Sequence, residues 1–243
     1  MKKLIIIQII IIILALSSCQ NNQQPIETSQ PIVDETESPV DKSIYFDTDF
    51  ESGEDDYLSG FADYPQGEED FYELNSEVVD IPDLNSKGYL LSGNNHSDDL
   101  LMYIAKPLVV QPDTDYKVTV TFDIATNIPG GMMGVGGSPG SSVYVKAGVS
   151  NKEFTPTLDS SNYLRSNWDI GNQASDGTEG LTLGNVEKID SEDDTYQYKS
   201  FSHEFTVKSS QDGTIYVLLA IDSGFESVSS IYFDNISIDV VEQ

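Results

Sequence analysis

The chain has 243 residues, with 12 Lys and Arg against 41 Asp and Glu, a formal net charge of −29 and one cysteine. So acidic a chain excludes nucleic acid as a partner and disfavours anionic polysaccharide, because polyanion binding rests on Lys and Arg displacing counterions, and Arg165 is the sole arginine. Neutral sugars, cations and proteins remain open, and a single cysteine excludes an internal disulfide framework.

The first element is a leader. Lys2 and Lys3 precede an apolar run, Leu4 to Leu16, broken only by Gln8 and followed by Ser17, Ser18 and Cys19. The run is about 13 residues against the roughly 20 needed to span a bilayer, so it reads as a signal peptide over 1–18. The order Leu16-Ser17-Ser18-Cys19 resembles the lipobox of bacterial lipoproteins. That resemblance implies lipidation of Cys19, a membrane anchor outside the cytoplasm, and a cell-surface or periplasmic location. Residues 19–43, rich in Gln, Asn, Glu, Ser and Thr and stiffened by Pro25, Pro31 and Pro39, predict a flexible tether that buries too little apolar surface to fold.

Residues 44–243 are long enough for one domain with a sizeable core. Short strands are expected near 45–50, 70–74, 88–92, 100–105, 142–147 and 162–168. The pattern is cleanest over 115–124, where Tyr116, Val118, Val120, Phe122 and Ile124 alternate with polar residues, and over 201–207, where Phe201, His203, Phe205 and Val207 share a face. Residues 215–221 are apolar on both faces and predict a central strand. In the last strand the apolar positions change parity between Phe233 and Ile236, which predicts a bulge at Asp234 and Asn235. Many strands parted by Gly, Pro, Asn and Asp turns, with no helical stripe, predict an all-β fold: a β-sandwich of jelly-roll type.

Two end motifs, Phe50-Glu51-Ser52-Gly53 and Tyr232-Phe233-Asp234-Asn235-Ile236-Ser237-Ile238, resemble the ends of galactose-binding-like jelly-roll modules of carbohydrate-active proteins. The resemblance implies a structural calcium held by an acidic residue near the first strand and an aspartate in the last. By position it nominates Glu51, Asp234 and Asp49, with Asp47 as an addition. Calcium takes six to eight oxygens, which suits carboxylates beside irregular strands. GNNHSDDL, the Gly-rich stretch through SPGSSVYVKAG, and IDSGFE resemble a set of uncharacterised acidic bacterial lipoproteins, to which no activity attaches.

The densest polar cluster, Gly93 to Asp99, offers Asn94, Asn95, His96 and Asp98 as a ligand-binding loop, since amides and carboxylates match sugar hydroxyls. The competing explanation is a turn, where Asn and Asp are favoured by their local hydrogen bonding. Trp168, beside Arg165, is the aromatic nominated to stack on a sugar, and Phe71 belongs to a wider group of aromatics for which core packing is the default. The glycine-rich 129–140 lacks the lysine and hydroxyl of a phosphate loop and predicts a turning rim loop. Tyr144 to Asn151 resemble a strand motif of jelly-roll alginate lyases, but the companion arginine-rich and Gln-Ile-His motifs are absent. The sequence therefore favours a noncatalytic surface module for carbohydrate or a protein partner. The alternatives are a polysaccharide lyase or glycosidase using His96, Tyr144 and Lys146 or a carboxylate pair, and a structural envelope lipoprotein.

Overall fold

The computed structural model describes residues 43–189 and 193–243. The expected leader, Cys19 and the tether as far as residue 42 lie outside them. All regular elements among the described residues are strands: β1 (Ser43–Thr48), β2 (Leu58–Ala62), β3 (Tyr64–Pro65), β4 (Asn75–Asp80), β5 (Lys87–Asn94), β6 (Leu100–Val109), β7 (Asp115–Thr126), β8 (Val143–Ser150), β9 (Thr157–Leu158), β10 (Tyr163–Arg165), β11 (Gly180–Asn185), β12 (Gln197–Lys208), β13 (Thr214–Ser223) and β14 (Val228–Glu242).

One sheet runs β12-β7-β14-β5-β4, with β1 paired to the C-terminal half of β14; a second runs β11-β8-β13-β6-β2; and a small third sheet runs β3-β10-β9. All pairings are antiparallel. The chain changes sheet at each step from β5 to β8 and again from β11 to β14, which is jelly-roll connectivity. Between the sheets the alternating apolar positions interlock: Val118, Val120, Phe122 and Ile124 of β7 meet Val145 of β8 and Val217, Leu219 and Ile221 of β13 in one cluster. Each such side chain contributes about 1.5–3 kcal/mol by leaving water.

The apolar outer positions of β13 have a separate cause. Leu218 and Ala220, with Leu101 and Tyr103 of β6, pack under Phe154, Trp168 and Ile170 from segment 151–179, which covers this face of the second sheet. Tyr103 reaches this layer by lying across Gly60, where a Cβ would stand 2.5 Å from its hydroxyl. The strand expected at 70–74 is a turn instead. Tyr72 N donates to Glu68 O at 2.9 Å and Leu74 N to Glu69 O at 3.2 Å, and the turn ends at Glu73 with φ 50°. Local bonding over four and five residues takes the backbone donors that a ladder would have needed, and the strand begins at Asn75. At 162–168 only Tyr163–Arg165 are extended. The bulge in β14 is present: the register shifts between Asp234 and Ser237, and Asn235 takes φ 48°, a left-handed conformation that Asn tolerates.

Candidate functional site

The 93–99 loop, the glycine-rich 129–140 loop and a third loop, 165–173, meet around one turn, residues 224–227. Asn95 N donates to Ser227 O at 3.1 Å, and Glu226 N donates to Val135 O at 3.0 Å, fixing the glycine-rich loop. Gly136 is required there. Its φ is 71°, and a Cβ would meet Gly224 O at 2.5 Å. From the third loop, Asn172 Nδ2 donates to Asp99 Oδ2 at 2.7 Å and Gln173 Nε2 to Asp98 O at 2.8 Å.

The nominated residues divide between surface and interior. Trp168 is 3 % exposed, its ring edge-on to Phe154 and its Nε1 donating to Lys152 O at 3.1 Å. The expectation that it stacks on a ligand is corrected: it is a keystone of the covering layer. Asn95 is likewise buried, its Nδ2 donating to Ser223 O at 2.7 Å and its Oδ1 accepting from Ser97 N at 3.0 Å, so it ties loops together and offers a ligand nothing. Arg165 is half-buried and already paired, Nη1 with Asp63 Oδ1 at 3.0 Å and Nε with Asp159 Oδ2 at 3.2 Å. Its positive charge lies over the Tyr163 ring at 4.6 Å. Asp98 is exposed at φ 65°, as a turn aspartate should be.

His96 is exposed and stacked on Phe71, with ring centroids 4.2 Å apart and planes at 23°. Tyr72 meets the imidazole edge-on at 5.4 Å. Phe71 is itself 57 % exposed. Beside it Asn94 Nδ2 donates to Glu73 Oε1 at 3.0 Å. An exposed aromatic platform rimmed by an amide and carboxylates is therefore the feature of this loop end with binding chemistry. The sequence pointed at His96 and Asn94 but ranked Phe71 as core, because an aromatic doublet next to Leu74 read as a strand.

Of the residues of the enzymatic alternative, Tyr144 and Lys146 share a face of β8, but His96 and Lys146 are each already engaged. His96 packs on Phe71 and Tyr72, whereas Lys146 is fully buried and donates to Ile170 O at 3.0 Å, Ser175 O at 2.9 Å and Thr182 Oγ1 at 3.1 Å. Those three bonds use every ammonium proton. Tyr144 stands half-buried two residues before Lys146 in β8. A carboxylate pair missed by sequence reasoning lies nearby: Asp99 and Asp222, with Asp222 2 % exposed and 3.7 Å from Lys146 Nζ. Burial first, then the Asp222 charge, pushes the Asp99 carboxyl up to about 8, and burial likewise raises Asp222 against the pull of Lys146. The two carboxyls are within hydrogen-bonding reach, closer than the roughly 5–9 Å that glycoside hydrolysis requires. A charged residue closing the otherwise apolar Ile215–Ile221 run was the sequence signal for Asp222.

The carboxylates nominated for calcium come together in part. Glu51 Oε1 and Asp234 Oδ2 both accept from Ser86 Oγ, at 3.3 and 2.9 Å. Glu51 Oε1 also takes Lys87 N at 2.9 Å, while Asp234, wholly buried, takes the Tyr198 hydroxyl and Asn235 N. Asp49 Oδ1 accepts from Glu51 N at 3.1 Å. These oxygens face N–H and O–H protons, the wrong polarity for a cation, and burial raises the Asp234 carboxyl. Among the described residues no group of three or more His, Cys, Asp or Glu is arranged to hold a metal. Calcium does not fit this donor set.

No family model matches the sequence, and no curated protein matches it. Solved structures do. A mannan-recognising carbohydrate-binding module, TmCBM27, aligns with TM-score 0.44 at 9 % identity over 82 % of this chain and 98 % of that one. TmCBM61 in complex with β-1,4-galactotriose aligns with TM-score 0.40 at 9 % identity over 79 % and 93 %. A cleaved adhesin domain of Lys-gingipain from Porphyromonas gingivalis gives 0.40 at 14 % over 80 % and 97 %. At such identities and scores the likeness carries no argument; what this chain can bind follows from its own residues.

Proposed function

We propose that this chain is a noncatalytic binding module for neutral carbohydrate, carried outside the cytoplasm on a lipid attached to Cys19. The observation that carries the sugar reading is the Phe71–His96 platform: a residue 57 % exposed, its ring stacked on the imidazole at 4.2 Å, beside Asn94 and Glu73. The C–H face of a sugar ring packs on an aromatic face while amide and carboxylate groups take its hydroxyls. Net charge of −29 favours uncharged glycans over uronates. The lipid anchor rests on the order Leu16-Ser17-Ser18-Cys19. A glycan array probed with residues 40–243 tests the first part, with Phe71→Ala as the control that should weaken binding about tenfold or more. Metabolic labelling with a fatty acid tests the second, and label that persists in Cys19→Ser contradicts it.

A further inference from the structure

Beneath the loops that join 98–99 to 172–173 lie two carboxylate oxygens with no partner among the described residues: Asp99 Oδ1 and Asp222 Oδ1 are both buried and accept no hydrogen bond there. Their sister oxygens are satisfied by the neighbouring segment, Asp99 Oδ2 by Asn172 Nδ2 at 2.7 Å and Asp222 Oδ2 by Gln173 N at 2.7 Å. Two ionised carboxylates with orphaned oxygens inside hydrogen-bonding reach are unstable twice over, by repulsion and by unmet desolvation. A single proton between them removes both penalties.

We propose that Asp99 and Asp222 share one proton, carried on Asp99, and that this O–H···O bond latches the β6 entrance to segment 172–175. Asp222 keeps the charge because Lys146 of β8 lies 3.7 Å away and Gln173 N donates to it. The other charged groups facing the pair do not supply the missing donor. Asp63 adds negative charge and is held by Arg165 of β10; Arg165 is spent on Asp63 and Asp159; Asp176 faces Lys146. Asp98 is exposed. Loss of the proton leaves Asp99 and Asp222 repelling across the junction, and segment 172–175 loosens from 98–99. This latch stands whether or not the rim above it binds sugar.

The test is the carbon chemical shift of the aspartate carboxyls against pH, with the amide-exchange protection of Gln173 followed alongside, in wild type and Asp99→Asn. Asn at 99 offers a permanent N–H to Asp222 and cannot ionise. The expected result is one carboxyl carbon that titrates near pH 8 in wild type and is absent from Asp99→Asn. Gln173 protection should fall by up to about tenfold per pH unit between about pH 4 and that midpoint, and level off above it, in wild type alone. Aspartates all ionised by pH 6, or the same loss of protection in Asp99→Asn, overturns the proposal. Should Asp99→Asn not fold, Asp222→Asn removes the repelling charge, and the Asp99 carboxyl carbon should then titrate well below its wild-type midpoint; an unchanged midpoint overturns the proposal. A midpoint that drops when calcium is added puts a cation in the proton's place and also overturns it.

Discussion

At one end of the outer face of the first sheet, Thr121 and Ser202 stand in solvent as a hydroxyl pair 2.8 Å apart and Ser237 reaches the exposed Tyr45 at 2.8 Å, while the other end buries Ala125 and Tyr232 against Ile81. On the outer face of the second, Leu101, Leu218 and Ala220 lie dry beneath Phe154 and Trp168, and even Lys146 and Asp222 are enclosed. Both faces belong to antiparallel strands of one sandwich, and segment 151–179 is what separates their fates. A bare face tolerates change because water can replace any partner it loses. Under a cover, a polar group must find its partner inside the protein, as Lys146 and Asp222 do beneath segment 151–179 and as Asp234 does against Ser86 and Tyr198 in the first sheet.

Substitutions on the two faces should therefore differ by an order of magnitude in free energy. Lys146→Ala, which strands Asp222 and three oxygen acceptors, is expected to cost about 3–5 kcal/mol in urea unfolding, and Trp168→Ala a similar amount through loss of a large buried ring. Thr121→Ala should stay within about 0.5 kcal/mol. Equal losses on both faces would mean that segment 151–179 is not a structural cover.

The next effect is on pH. In the folded protein Asp99 is raised to about 8 from the ordinary 3.8. The folded state thus holds a proton that the unfolded chain releases, so this contribution is complete below about pH 4 and is lost as pH rises through about 8. The thermal midpoint of Asp99→Asn minus that of wild type should rise across this window and level off above it. A difference independent of pH would contradict the assignment of the proton to Asp99. Smaller still is the effect of chelation: because Glu51 Oε1, Asp49 Oδ1 and both Asp234 oxygens already accept hydrogen bonds, EDTA should leave the melting temperature unchanged. A clear drop would restore calcium at that end.

The strands were legible where one face meets the core and the other meets water. Val118, Val120, Phe122 and Ile124 announce β7 by alternation alone, and the parity change from Phe233 to Ile236 announced the bulge that buries Asp234. Residues whose environment is supplied by distant chain were misread. Trp168 looked like a loop aromatic because nothing local shows that Phe154, Tyr103 and Leu218 enclose it, and Asn95 looked like a ligand group because Ser223 is remote in sequence. Phe71 was misjudged in the opposite direction: its exposure depends on a turn closed by Glu68 and Glu69, which periodicity does not reveal.

The most direct measurement is titration of a neutral oligosaccharide chosen from the array into wild type, Phe71→Ala and Trp168→Phe, with folding checked by thermal melt. Phe71→Ala should weaken binding about tenfold or more while its stability changes little, as expected for an aromatic anchor at a surface, and Trp168→Phe should bind like wild type. Wild-type affinity in Phe71→Ala, or a loss of binding confined to a folded Trp168→Phe, would contradict a site at the Phe71–His96 platform and move it to the covered face.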